Sequence, residues 1–365
     1  MIRIDPTHYY CPGPRHVWED VTDLGGEVDM RTDPVTGPSV WRADELEHSD
    51  EWIYRFTPSD LDELERGVEA VAGRDVHELT PDAFPLSGLE ARISEFVDEL
   101  DTGRGFVVLR GLPIGPRFDR AAAAAVFWAI CSRIGRLVPT TCDGALLNHV
   151  YDRGPGQDPN ARAYTTNIGG FIHSDGVEIV GLMCLQPSPT GGESIIASSM
   201  TMFNTLLEEH PEWLPVLFKR MACDWKMEEP PGSSGWYPQS LYCHVDGWLS
   251  ATLKTGFQRS AQRFDGVEPL TDDELACFKY LESIPQRPGM TLYMALEPGD
   301  IQLVNNYVTL HSRTPYTDDP AKPEQKRHML RYWMSRSGLS PRVVSPDYQF
   351  MRDDYFGLTQ PAPSL

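Results

Sequence analysis

The chain has 365 residues, of which 41% are hydrophobic and 23% charged, an ordinary composition for a globular protein large enough to bury one big core or two smaller ones. Its formal net charge of −21 argues against a nucleic-acid or anionic-membrane partner, since both demand a basic footprint. No apolar run approaches the roughly 18 residues that cross a bilayer, and Met-Ile-Arg-Ile-Asp-Pro does not read as a signal peptide, so a cytoplasmic location is expected. The seven cysteines (Cys11, Cys131, Cys142, Cys184, Cys223, Cys243 and Cys277) are scattered and never spaced Cys-x-x-Cys. That disfavours a disulfide framework or a cysteine zinc site and reads as reduced, mostly core thiols.

Taken in chain order, residues 1 to about 58 are rich in Pro, Asp and isolated aromatics without periodicity, which predicts an irregular extension over a core. Thr57-Pro58-Ser59-Asp60 then offers helix caps, with Leu61, Leu64, Val68 and Val71 at helical spacing. A second amphipathic stretch carries Leu89, Ile93, Val97 and Leu100. The run 106–110 predicts a buried strand closed by Gly111 and Pro113, and an Ala-rich helix follows over 119–135. The expected division places an N-terminal extension with packed helices at 1–104 and the main domain at 105–365, the two forming one continuous structural unit.

From Tyr164 onward the pattern turns to strands. Strands are predicted at 171–175, 177–185 and, after a Pro/Gly loop, 193–197, with helices near Ser199 and over 211–218. Residues 229–240 read as a long loop, either a lid or disordered. Asp246-Gly247 marks a hairpin between 241–244 and 248–252. Thr271-Asp-Asp-Glu274 is a capping box that opens a helix with Leu275, Phe278 and Leu281 inward. Strands at 290–295, 301–310 and 328–334 close the pattern, and no internal repeat is seen.

The chemistry points to His173-Ser-Asp175. On a strand, residues i and i+2 project from one face, so imidazole and carboxylate would point into the same space. One more histidine would complete a set that binds non-haem Fe(II) on a single triangular face. His-x-Asp also occurs as His48-Ser-Asp50, within an acidic run, and as His244-Val-Asp246, at the predicted hairpin; only His173 has apolar, strand-like sequence on both sides. His311, at the end of the strand after Pro298-Gly-Asp300, is the candidate third ligand, against the plain alternative of a hydrogen-bonded core histidine. Behind it, Arg327, Met329 and Arg331 share one strand face, so two guanidiniums project from an apolar strand. Burial of either demands an anion, and a dicarboxylate would fit the planar fork.

In this order, His173-Ser-Asp175, Gly191-Gly-Glu-Ser194, Pro298-Gly-Asp300, His311-Ser-Arg313 and Arg327-His-Met-Leu-Arg331 resemble the taurine dioxygenase family of Fe(II)- and 2-oxoglutarate-dependent oxygenases. The strand at 106–111 is similar to that family's early strand, and the resemblance spans roughly 105–336. It implies a mainly β fold with flanking helices around a double-stranded β-helix (jelly-roll, cupin-like) core. It implies Fe(II) held by His173, Asp175 and His311, with 2-oxoglutarate and O2 as co-substrates. Arg327, aided by Ser194 where the family often has Thr, would pair with the distal carboxylate of 2-oxoglutarate. Arg331 is the fallback for that role and also matches a position that faces an anionic substrate group. Because Asp175 is present, the resemblance implies hydroxylation or desaturation and not halogenation.

The chain departs from the family pattern at Asn305-Asn306, at Tyr316, where Phe is common, and in the long hydrophilic loop 317–325. Two alternatives stay open: a cupin-type lyase or isomerase that uses its metal without 2-oxoglutarate, and a non-catalytic relative that binds a small molecule. Tyr164, Thr166 and Asn167, with the loop around Trp236 and Tyr237, are candidate substrate-lining positions. The expected partner is a small-molecule substrate, with no nucleic acid or membrane and with a homo-oligomer possible.

Overall fold

A computed structural model describes residues 29–140, 144–154, 166–226, 234–342 and 344; the readings of residues 1–28, of Tyr164 and of 229–233 lie outside the described residues. Helix α1 (Ala43–Leu46) and strand β1 (Ile53–Arg55) precede α2 (Pro58–Ala70), α3 (Glu90–Asp101), β2 (Phe106–Arg110) and α4 (Arg120–Ile134). Strands β3 (Arg136–Val138) and β4 (Asn148–Val150) lead into β5 (Ile179–Gln186), β6 (Thr190–Gly191) and β7 (Ser194–Ser198). Next come α5 (Ser199–Glu209), α6 (Leu214–Phe218), the ribbon β8 (Met221–Asp224) and β9 (Trp236–Gln239), and the hairpin β10 (Tyr242–Val245) and β11 (Trp248–Ala251). Helices α7 (Thr255–Ala261) and α8 (Asp272–Ser283) follow, then β12 (Leu292–Met294), β13 (Ile301–Asn305), β14 (Thr309–Arg313), β15 (Tyr316–Thr317) and β16 (His328–Ser335).

The layers follow from strand alternation. A 7-stranded sheet runs β1-β2-β13-β5-β16-β3, with β4 also paired to β16. Along β16, Leu330, Tyr332 and Met334 face the helices α2, α3 and α4, whereas Met329 and Trp333 face inward. Strand β5 alternates the same way, with Ile179, Met183 and Leu185 toward the helices and Val180 and Cys184 inward. Against the inner face lies the smaller sheet β12-β7-β14, which contributes Ile196, Leu292 and Met294 to the shared interior. Helices α5, α6 and α8 and the β10–β11 hairpin cover the outside of that second sheet. Two facing sheets, not closed into a barrel, form the predicted jelly-roll core with its flanking helices.

Local sequence explains the elements that seat the site. Thr57 and Thr271 each cap a helix in a reciprocal box with Asp60 and Glu274. The Pro298-Gly-Asp300 turn is a structural clamp: Asp300 is buried and ion-paired to Arg110 at 2.7 Å, which fixes the end of β2. Gly299 sits at φ +92°, where a Cβ would lie 1.9 Å from the Leu112 carbonyl oxygen, so the turn admits no side chain. In the region expected to be irregular, Trp41 and Trp52 pack their rings 5.3 and 5.9 Å from Phe106.

Four expectations need correction. The strand expected at 301–310 is two strands in different sheets, because the Asn305 side chain accepts from the Tyr307 N–H (2.9 Å) and donates to Leu100 O (2.9 Å), turning the chain between them. Residues 171–175 do not form a strand: only His173 bridges, to His311, after Gly169-Gly170 and the exposed Phe171. Residues 236–239, expected in a loop, pair with 221–224 as β9 against β8. Leu275 is 39% exposed, and Cys277 joins Glu274, Phe278 and Leu281 on the buried stripe of α8, since those positions follow the i, i+3, i+4, i+7 pattern. No helix among the described residues is long and apolar enough to cross a membrane.

Candidate metal centre

Two backbone hydrogen bonds join the chain at His173 to β14: His173 N–H donates to His311 O at 3.1 Å and His311 N–H to His173 O at 2.9 Å. This bridge sets the two imidazoles side by side, their centroids 4.9 Å apart. Asp175 is brought in by Asn306, whose Oδ1 accepts from the Asp175 N–H at 3.1 Å while its Nδ2 donates to Val177 O at 2.9 Å. Asn306 follows Asn305, which stands where the family usually has Asp, and its side chain pins the turn that presents the carboxylate.

The Asp175 oxygens lie 3.7 Å from His173 Nε2 and 3.6 Å from His311 Nε2. One ligand atom from each of the three residues lies within 4.8 Å of the others, the only such group among the described residues. His173 Nδ1–H donates to Phe171 O at 2.8 Å, which leaves Nε2 as the lone-pair nitrogen facing the other two residues. Packing around the His173 ring, then the neighbouring His311, pushes its pKa down to about 4. Burial works to raise Asp175, but Arg331 at 3.6 Å and the two imidazoles outweigh it and hold the carboxyl well below the usual range. A neutral His173 imidazole beside an ionised Asp175 carboxylate is the protonation state that a divalent cation requires of these two groups.

Two groups from the inner face of β16 reach the same carboxylate. Trp333 Nε1–H donates to Asp175 Oδ2 at 2.9 Å, and the Arg331 guanidinium sits beside that oxygen and 5.3 Å from the Trp333 ring centroid. Trp333 was missed in the sequence reading, although it continues the Arg327, Met329, Arg331 face by one more alternate position.

Arg327 lies apart from this group. Only 5% exposed, its guanidinium is 5.0 Å from the Tyr316 ring centroid, and Arg313 lies 4.8 Å from the same ring. Gly192 permits the approach: a Cβ there would fall 3.0 Å from Arg327 Nε. Buried Nη1 of Arg327 has no hydrogen-bond partner among the described residues. Burial lowers the Arg327 pKa. A buried cation with an unspent donor is a receptor for an anion. Ser194 is buried on β7, and its hydroxyl donates to Gln302 Oε1 at 2.8 Å, which ties the two sheets together.

The remaining predicted positions are spread out. Thr166 and Asn167 lie in irregular chain and use their backbone carbonyls, Thr166 O accepting from Arg313 and Asn167 O from the Tyr316 N–H at 3.1 Å. Tyr164 is outside the described residues. Tyr237 is buried against Cys223 and Trp225, and Trp236 borders a cavity of about 350 Å³ formed with Lys219, Arg220 and Glu274, none of them in the triad. The other His-x-Asp pairs are elsewhere: His48 is exposed beside Glu47, and His244 pairs with Asp29 at 2.9 Å while Asp246 takes φ +50° in the hairpin turn.

The chain is similar to known proteins in sequence and in fold. The profile of the family described as taurine catabolism dioxygenase TauD, TfdA family matches residues 75–333, starting about thirty residues before the stretch recognised in the sequence. FR-33289 synthase of Streptomyces rubellomurinus is 32% identical over 314 residues, covering 84% of this chain and 92% of that protein. The taurine hydroxylase-like protein SAT17 of Stachybotrys chartarum is 25% identical over 340 residues, covering 86% and 84%. Among solved structures, an asparagine oxygenase with Fe(II), 2S,3S-3-hydroxyasparagine and succinate superposes with a TM-score of 0.60 at 17% identity, over 78% of this chain and 94% of that one. The non-haem iron oxygenase OrfP with Fe and alpha-ketoglutaric acid gives 0.59 at 14% identity, over 80% and 98%.

Proposed function

This chain belongs to the taurine catabolism dioxygenase TauD, TfdA family, and from that premise we propose that its iron ligands are His173, Asp175 and His311 and that Arg327 receives the distal carboxylate of 2-oxoglutarate. The protein is an Fe(II)- and 2-oxoglutarate-dependent dioxygenase. The observation that carries the site reading is the convergence of the three ligand atoms within 4.8 Å. When bound, the metal with 2-oxoglutarate and O2 supplies the oxidising power that hydroxylates an unactivated C–H bond, while 2-oxoglutarate leaves as succinate and CO2.

The residues around that chemistry hold and orient. His173 and His311 offer Nε2, and Asp175 offers an oxygen whose charge is kept by Arg331 and Trp333. Trp333 fixes which Asp175 oxygen remains free, because its N–H occupies Oδ2. Arg327, buried against the Tyr316 ring, supplies the anion receptor, and Ser194 braces the two sheets through Gln302. The lyase or isomerase alternative would leave the Arg327 cation without its anion.

The substrate is read as a small molecule oxidised by hydroxylation. Support comes from the relatives' names, which include a synthase and a taurine hydroxylase-like protein, and from the hydroxylated amino acid bound in the asparagine oxygenase. The helices of residues 58–101 share a core with β5, β13 and β16, which supports one continuous domain in which the segment up to 104 buttresses 105–365. The test is succinate formation from 2-oxoglutarate with Fe(II) and ascorbate. His173→Ala is expected to abolish it, and undiminished succinate in that variant would sink the ligand assignment.

A further inference from the structure

Two departures of this chain from the family pattern bear on Arg327. Ser194 stands where the family often has Thr, and its hydroxyl donates to Gln302 Oε1 at 2.8 Å. That proton is spent within the fold, so a second donor to the distal carboxylate has to come from elsewhere. Tyr316 stands where Phe is common and adds one hydroxyl to a buried site, the residue being only 4% exposed. Its backbone is held on two sides: Tyr316 N–H donates to Asn167 O at 3.1 Å, and β15 pairs it with Gly191 of β6.

The phenol and the guanidinium are neighbours. Arg327 Cζ lies 5.0 Å from the Tyr316 ring centroid, and a Cβ on Gly192 would stand 3.0 Å from Arg327 Nε and 3.3 Å from Tyr316 Cβ. Gly192 therefore lets both side chains share one space. Neither Tyr316 Oη nor Arg327 Nη1 has a hydrogen-bond partner among the described residues. The two cannot satisfy each other, because a guanidinium offers donors and no acceptor, so the phenol proton still needs an oxygen. Arg313, over the same ring, spends its guanidinium on the Thr166 and Thr314 carbonyls. Asp318 accepts the Arg327 backbone N–H through Oδ1 at 2.9 Å, and its Oδ2 has no partner among the described residues, so it does not take the phenol proton. Burial outweighs the two guanidiniums and raises the Tyr316 pKa, which keeps that proton in place. A buried hydroxyl without a partner carries a cost that Phe would not, and two such donors side by side match the two oxygens of one carboxylate.

We propose that the Tyr316 hydroxyl is the second donor to the distal carboxylate of 2-oxoglutarate, beside Arg327, and fills the role that Ser194 leaves open. The inference rests on the reading of Arg327 as the co-substrate's receptor and deepens it. The receptor is a pair, in which Arg327 supplies the charge and Tyr316 a neutral donor carried on a rigid ring.

Calorimetry on the Fe(II)-loaded full chain without oxygen tests it, with 2-oxoglutarate and with 2-oxopentanoate, which has the same carbon chain but no distal carboxylate. The wild type is expected to bind 2-oxoglutarate the more tightly. Tyr316→Phe is expected to weaken 2-oxoglutarate roughly tenfold and to leave 2-oxopentanoate within about twofold, with thermal melting reporting that the variant folds. A tyrosine that served only to pack would shift both keto-acids together or neither. The proposal is overturned if Tyr316→Phe binds 2-oxoglutarate as tightly as the wild type does, or if both keto-acids weaken alike. A wild type that binds 2-oxoglutarate no better than 2-oxopentanoate overturns the Arg327 reading along with it. A wild type that prefers 2-oxoglutarate, with a Tyr316→Phe variant that keeps the whole preference, overturns the role of Tyr316 alone.

Discussion

Asp175 is held by its neighbours on several sides, whereas Gln239 and Gln258 are buried with neither side-chain atom partnered among the described residues. The carboxylate takes a hydrogen bond from Trp333, the charge of Arg331 and backbone support through Asn306. Those two carboxamides sit elsewhere in the chain, Gln239 on β9 and Gln258 on α7. The difference teaches what partners do for a buried polar group. With them, the group is oriented and kept in one charge state by the protein's own bonds. Without them, its donors and acceptors stay unspent at a cost in stability.

The comparison breaks first at its centre. Asp175→Ala removes the group on which Trp333, Arg331 and Asn306 converge and takes its charge from beside the buried Arg331; succinate formation is expected to fall by more than about 100-fold, beyond the range typical of supporting residues. A variant retaining a tenth of wild-type turnover would mean that Asp175 is not a ligand. Arg327→Ala tests a buried donor that has no hydrogen-bond partner among the described residues: its loss should raise KM for 2-oxoglutarate roughly thirtyfold, about 2 kcal/mol, and an unchanged KM would move the co-substrate to another cation. Trp333→Phe keeps the packing and deletes only the N–H to Asp175. Fe(II) affinity should weaken by roughly tenfold, and equal affinity would show that the indole merely fills space. The smallest effect is expected at the unpartnered carboxamides. Gln258→Leu exchanges an unsatisfied amide for an apolar group of similar size, so the ligand-free protein should gain about 1 kcal/mol of stability, seen as a higher melting temperature. A loss of similar size would show that Gln258 bonds within the fold.

How much of this could be read from the residues varied with the range of the interaction involved. The capping boxes at Thr57 and Thr271, the strand Phe106–Arg110 and the Asp246-Gly247 turn depend on neighbours within a few residues, and local sequence specified them. Selecting His173-Ser-Asp175 among the three His-x-Asp pairs drew on His311 and the arginine strand, a pattern spread along the chain. What stayed hidden were cross-chain bonds. Asn305 ends a strand that reads as continuous because its side chain reaches Leu100 on α3. Trp333 carried no functional signal in the sequence because its N–H is spent on a residue 158 positions away.

Sequence by itself determined the periodicities, the caps, and the types and order of the candidate ligands, since each follows from side-chain chemistry and local backbone preference. Tertiary structure decided the rest: that residues 171–175 meet β14 through a single bridge at His173, that Asp300 clamps Arg110, and that Arg331 sides with Asp175. Those outcomes depend on which buried charges find a partner, and only the packing of distant segments settles that.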